Sequence, residues 1–434
     1  MSVRACRSSS LALRTSRVIL FVGLLGWMLP SSSQARNLTV GPGKMYATIR
    51  GAAQACQAGD TVSVDPGTYT GDVSSWTKPN LVIRAANPAN KPHLVANGQL
   101  ANSMGVFHVS PGATSCTIDG FNIEGARSPT SATGNACGIR VESGNPGWVA
   151  IRNCYLHNNE LNIMAAPDSL LVEYCELSDT PPTTTCDPTC RTGNQHNIYV
   201  NTGSNRVCMF RYNYSHNTSV GQLFKSRGRT SYVMYNRLTD ENGDGSYAVD
   251  ISDGGRAYVI GNIIEQGPNS QNSGIVSFAA ESSGNGILDL YVVNNTIVND
   301  KSTGTFVSAR AGTTAKVMNN IFCGPGTPMS GTVFVALNNY QDANKTSSWY
   351  RNAAGYDYHL TSNAPASLLD AAGAAGTSIT GFLLAPTREY VYDEQGQARA
   401  VTGALDLGAF EYSGSGGGGT DVSAPAAVRD LRYR

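Results

Sequence analysis

The sequence predicts an all-β chain wound as a right-handed parallel β-helix, a solenoid whose N-terminal end is closed by a short capping helix. Three observations carry this. One short phrase recurs along the chain at spacings of 21 to 38 residues. The apolar runs are short, β-branched and aromatic, and bounded by Gly and Asn, which is too brief and too alternating for helices. Charge is sparse, at 14% of 434 residues with 47 Gly and 35 Asn, where a soluble domain usually carries about a quarter charged residues. That composition suits a chain that turns often. It excludes a disordered polyelectrolyte, a coiled coil and a multispanning membrane protein. Basic and acidic residues balance at 31 each, so no basic footprint points to nucleic acid.

The elements follow in chain order. Arg4, Arg7, Arg14 and Arg17 precede an apolar run over residues 18–29 and a small-residue stretch ending at Ala35. Residues 1–35 are therefore expected to be a signal peptide, since the run is short for the roughly 30 Å of a bilayer core. The mature chain is expected to be secreted or periplasmic, free of the membrane after cleavage, and monomeric. It keeps 27 basic and 31 acidic residues and nine Cys. An odd number leaves at least one thiol without a partner in the chain. Ile49, Ala52, Ala53 and Cys56 form the apolar stripe of the capping helix, which covers an edge that would otherwise invite pairing. Val62 and Val64 begin the first strand, and Pro66-Gly67 turns it.

The recurring phrase is an apolar residue, two variable residues, Asn or Cys, one residue, and usually an apolar one. Ile151-Arg152-Asn153-Cys154-Tyr155-Leu156 and Val259-Ile260-Gly261-Asn262-Ile263-Ile264 are two copies. The fourth position falls at Cys154, Cys175, Asn213, Asn236, Asn262, Asn295 and Asn320, with a degenerate earlier copy at Phe121. A repeat of this size is one supersecondary unit that buries its apolar face against its neighbours. A leucine-rich repeat would need a regular Leu spacing, which is absent. In a β-helix equivalent residues stack about 4.8 Å apart, so an inward amide can donate to one coil and accept from the next. Cys154 and Cys175, on consecutive coils, come within disulfide range or remain two buried thiols. Cys186 and Cys190 are expected to pin a Pro/Thr-rich loop as a disulfide rather than hold zinc, because only Asp187 and His196 could complete a site. The gap of 38 between Cys175 and Asn213 is the longest. Thr180–Asn194 therefore reads as an insertion overhanging the neighbouring strand.

Between the phrases lies a second set of short strands around Ile139-Arg140-Val141, Ile198-Tyr199-Val200, Leu223 to Arg227, Tyr247 to Ile251 and Phe306 to Arg310. Alternation with the apolar residues inward turns Arg140, Tyr199 and Asp250 outward. The strand at 223–227 is ambiguous by counting. Burying unpaired Lys225 and Arg227 costs too much, so Phe224 and Ser226 are placed inward.

The opening from Tyr46-Ala47-Thr48-Ile49 through Gly59-Asp60-Thr61-Val62 to Pro66-Gly67-Thr68-Tyr69 resembles that of the pectate-lyase-like β-helix proteins. The stretch from His359-Leu360 through Ser367-Leu368-Leu369-Asp370, then Asp406-Leu407-Gly408-Ala409-Phe410, resembles the closing segment of secreted bacterial members. The resemblance covers residues 38 to 412 of a domain taken as 36–412, followed by a Gly-rich linker and tail over 413–434. It implies the fold but no single reaction, since the superfamily holds lyases, hydrolases, esterases and adhesins.

A row of cations with one phenol and one carboxylate along a parallel sheet suits an acidic linear polysaccharide. β-Elimination of a uronate needs a base for the proton beside the carboxylate, a cation on that carboxylate and an acid for the leaving oxygen. Lys225 is the expected base, its pKa lowered by Arg227. Arg227 and Arg140 are expected to grip the carboxylate, and Tyr199 to be the acid. His196, Asn197, Asp250 and Arg310 complete the expected substrate contacts. Asp250 either orients Lys225 or joins Asp253 in a Ca²⁺ site. The acidic turn 240–244 lacks the full spacing of a dedicated calcium loop. A glycoside hydrolase would need facing carboxylates, of which only Asp250 is secure, with Asp253 and Glu281 near strand ends. A non-catalytic carbohydrate-binding or surface protein needs none of this chemistry.

Overall fold

A computed structural model describes residues 34–128, 135–181, 195–201 and 206–412. The expected signal peptide, the Cys186/Cys190 pair, most of the expected insertion at 180–194 and the linker and tail lie outside the described residues. Local sequence explains the coil. Each phrase ends a strand and turns the chain into the next one within two residues. The residue just before the ladder position adopts a left-handed backbone in coil after coil: Asn153, Tyr174, Tyr212, Tyr235, Gly261, Asn294 and Asn319, with φ between 52° and 67°. Only Gly, and less readily Asn, takes that conformation cheaply. The three Tyr that take it stack on one another, with ring centroids 5.2 and 5.6 Å apart.

These turns wind the chain into three all-parallel sheets of 12, 11 and 10 strands, each strand pairing with its counterpart one coil on. The result is a right-handed parallel β-helix. One continuous core runs through it, from Leu38 and Val40 to Val317 and Phe322. The helix Ile49–Ala55 joins that core through Ile49, Ala52 and Ala53, and Thr48 caps it by accepting from the Gly51 N–H at 3.1 Å.

The recurring Asn face inward as one column. Asn213 donates its backbone N–H and its side-chain amide to Asn236 Oδ1, at 3.0 and 3.1 Å. The same pair of bonds joins Asn236 to Asn262, Asn262 to Asn295, Asn295 to Asn320, and Asn320 to Asn339. Cys175 donates its N–H to Asn213 and continues the column toward the N-terminus. Of the two alternatives for Cys154 and Cys175, the structure has two free, buried thiols.

The chain after 349 folds back along the solenoid. Tyr350, Tyr358, Leu360, Leu368, Tyr390 and Phe410 cover the outer face of the 11-stranded sheet at Ile263, Val298 and Ile321. Ala375 and Leu384 cover the outer face of the 12-stranded sheet at Tyr258 and Tyr291. Among the described residues, no helix is long and apolar enough to cross a membrane.

Candidate active site

The 10-stranded sheet carries the charged column on its outer face. Strands Cys137–Val141, Leu161–Ala165, Ile198–Val200, Phe224–Ser226, Val249–Ile251, Gly274–Phe278 and Thr305–Ala309 are consecutive in it. Their register aligns Arg140, Met164, Tyr199, Lys225, Asp250, Ser277 and Ser308. Phe224 and Ser226 point inward and are fully buried. Ser226 is satisfied there by Ser231 Oγ at 2.8 Å and by the Gly228 N–H at 3.0 Å. Lys225 thus faces away from the core between Tyr199 and Asp250, and although it is only 7% exposed its charge is paired with both Asp250 and Glu281.

Four charged groups and a phenol meet around it. Lys225 Nζ lies 2.6 Å from Glu281 Oε1 and 3.4 Å from Asp250 Oδ2, and 5.8 Å from the Tyr199 ring centroid. Arg227 donates from Nε to Tyr199 Oη at 2.8 Å and from NH1 to Asp253 Oδ1 at 2.6 Å, and its NH2 pairs with Glu281 Oε2. Glu281 therefore bridges the two cations, one oxygen to each. Burial would lower the Arg227 pKa, but the bonds to Glu281 and Tyr199 outweigh it and raise it. Burial would lift the Glu281 carboxyl, and the same two cations hold it below its ordinary value. Burial raises Asp250 despite Lys225. Asp250 is 1% exposed. Its Oδ2 accepts from Ser252 Oγ at 2.8 Å and Gln222 Nε2 at 3.3 Å, while its Oδ1 is buried without a partner. Because Tyr199 Oη accepts from Arg227, the phenolic hydrogen remains to be donated elsewhere.

The other expected residues divide. His196 is buried against Tyr199, with ring centroids 5.3 Å apart, and its Nδ1 accepts from the Gln222 N–H at 3.1 Å. Burial, then the charges of Lys225 and Arg227, push its pKa down to about 3. It is a neutral packing partner of the phenol. Asn197 does not reach the outer face. A bend before the strand turns its amide inward, where it donates to Leu177 O, Ser215 Oγ and His216 O and accepts from Asn162. Arg140 stands three coils from Lys225, packed on Met164 and paired with Glu142 at 3.3 Å. Arg310 is not in the column. Ser308 holds that place, and Arg310 falls in the column of Arg227 three coils away, roughly 14 Å at the strand spacing. Variable turn lengths defeat the count from sequence there.

Asp250 and Asp253 do not fit a Ca²⁺ ion. Ca²⁺ takes six to eight oxygens, whereas Asp250 Oδ2 is held by Lys225, Ser252 and Gln222 and Asp253 Oδ1 by Arg227, and two cations stand beside the pair. Among the described residues they belong to no cluster of three or more carboxylate, His or Cys ligands. Nothing in the sequence marks Gln222, and Glu281 reads there only as an acid near a strand end, in a turn like any other.

Three all-parallel sheets wound coil upon coil define the class: the chain has the fold of the pectate-lyase-like β-helix proteins. Among solved structures it is similar to pectate lyase Pel9A, with a TM-score of 0.60 and 14% identity over 88% of this chain and 97% of that one. The GH136 lacto-N-biosidase from Eubacterium ramulus matches with a TM-score of 0.41 and 13% identity over 70% of this chain and 68% of that one. A PL6 alginate lyase matches with 0.36 and 13% over 73% and 87%. No protein-family model and no curated protein matches the chain. At these identities the likeness is one of fold.

Proposed function

We propose that this chain is an exported, monomeric polysaccharide lyase that cleaves a uronate-containing polymer by β-elimination. One observation carries the reading: Glu281, 44% exposed, lays a carboxylate across Lys225 and Arg227. It stands where a substrate carboxylate would stand. A uronate displacing Glu281 would pair with Arg227 and bring the hydrogen on C5 to Lys225. The free amine of Lys225 takes that proton, the electron pair forms the C4–C5 double bond, and the C4–O bond breaks. Tyr199 gives its hydrogen to the departing oxygen. The fold likeness to a pectate lyase over almost the whole of that chain is compatible with this reading.

A glycosidase reading would use Asp250 and Glu281, whose carboxyls are pushed in opposite directions. Access counts against it, since the Asp250 side chain is 1% exposed, against 8% for Lys225 and 44% for Glu281. The test is incubation with a panel of uronate polymers, followed by ultraviolet absorbance of the unsaturated product. Lys225→Ala should lower the rate roughly 10²- to 10⁴-fold. New reducing ends without that absorbance would favour hydrolysis. Binding without cleavage would favour a carbohydrate-binding protein. A Lys225→Ala variant as fast as wild type would remove Lys225 from the chemistry.

A further inference from the structure

A second cluster lies on a different face of the solenoid. Strands His93–Val95, Asn122–Glu124 and Tyr155–His157 are consecutive in the 11-stranded sheet. Their register pairs His93 with Asn122 and Tyr155, and Val95 with Glu124 and His157. His93 reaches diagonally, so that its Nε2 lies 2.8 Å from Glu124 Oε1. His157 Nδ1 lies 3.9 Å from Glu124 Oε2. One ligand atom from each of the three residues lies within 4.8 Å of the other two.

Hydrogen bonding at His157 shows what the cluster lacks. Its Nε2 is 2.9 Å from Asn122 Oδ1, and its ring stacks on Tyr155 at 4.2 Å. A neutral imidazole has one N–H, here donated to Asn122. The Nδ1 lone pair is then left facing a carboxylate oxygen. Two acceptors stand opposed across a gap too long for a hydrogen bond. A cation between them, about 2.0 to 2.2 Å from each ligand, would resolve the opposition after a small shift of the side chains.

We propose that His93, Glu124 and His157 bind a divalent transition ion of the zinc type, with Asn122 orienting His157. Two imidazoles and one carboxylate favour Zn²⁺, Co²⁺ or Ni²⁺ over Ca²⁺ or Mg²⁺, which prefer oxygen ligands throughout. The side chains are 33%, 23% and 18% exposed, so an ion can enter from solvent. Three protein ligands leave a fourth position for water. The ion would tie together three coils whose ligands are 31 and 33 residues apart. Asn122→Ala removes only the orienting contact, and such losses typically weaken a metal about 10- to 100-fold.

The experiment uses the full chain without a polyhistidine tag, stripped with chelator and desalted. Zn²⁺ is titrated by calorimetry, and Co²⁺ reports geometry through its visible absorption. The expected result is one equivalent of Zn²⁺ at about micromolar affinity or tighter, a tetrahedral Co²⁺ spectrum, and a melting temperature raised by Zn²⁺. The His93→Ala/His157→Ala variant should lose all three. Glu124→Gln keeps the shape of the cluster and should weaken binding if the double variant fails to fold. The proposal is overturned if wild-type protein takes up no stoichiometric Zn²⁺, or if the variants bind it as wild type does.

Discussion

Asn262→Ala tests whether the inward amide column holds the coils together. Asn262 is fully buried. Its Oδ1 accepts from the Asn236 N–H at 2.9 Å and from Asn236 Nδ2 at 3.0 Å. Its Nδ2 donates to Val233 O at 2.8 Å and to Asn295 Oδ1 at 3.0 Å. Truncation leaves Asn236 Nδ2 with Phe210 O, and Asn295 Oδ1 with the Asn262 N–H. The Asn236 N–H keeps nothing. A buried donor left unpaired costs about 1–3 kcal/mol, and the other lost bonds add about 0.5–1.5 kcal/mol each, less the relief of no longer burying an amide. The expected loss is about 2–4 kcal/mol. At about 2.1 cal/mol/K per residue this lowers the melting temperature by roughly 3–5 °C. Denaturant unfolding of Asn262→Ala beside Asn344→Ala, an exposed control, measures it. Equal stability of the two variants would refute the reasoning, because the amide column would then be incidental to a core held by apolar packing alone.

Other outcomes follow from the same geometry. Arg227→Lys should lower kcat/KM on a uronate polymer by roughly 10²-fold or more, because one ammonium cannot hold Tyr199, Asp253 and a carboxylate in one plane; near-wild-type kinetics would exclude the guanidinium from the site. Burial pushes the Asp240 pKa from 3.8 to about 6. Its contribution is therefore full below pH 4 and is lost as pH rises through 6. Asp240→Asn should be more stable than wild type at pH 8 by roughly 1–3 kcal/mol and nearly equal to it at pH 4; melting at both values checks the sign. Cys56, Cys116, Cys137, Cys154, Cys175, Cys208 and Cys323 are free and buried, and burial lifts Cys116 and Cys137 to about 12. Iodoacetamide on the native protein should leave these seven unmodified and label all of them after unfolding, as read by peptide mass mapping.

The sequence by itself determined what is local or repeated. The phrase around Asn213, Asn236 or Asn262 is a turn with a left-handed residue and an inward amide. Both are properties of adjacent residues, so they are legible in the chain and repeat with it. The outward placement of Lys225 was legible because burying its unpaired charge costs more than any miscount of turn residues. Only the tertiary structure decided which residues from different coils meet. Glu281 is 56 residues from Lys225 and 54 from Arg227, and turn lengths vary between them, so nothing along the chain announces the bridge. The same variation moved Arg310 out of the column, and a local bend turned Asn197 inward. His93, Glu124 and His157 converge by sheet register across three coils. The return of the chain after 349 covers the outer faces of two sheets, and among the described residues its apolar clusters lie on those two and not on the column of Lys225. Register and long-range packing follow from the whole path of the chain, and no short window of sequence contains that path.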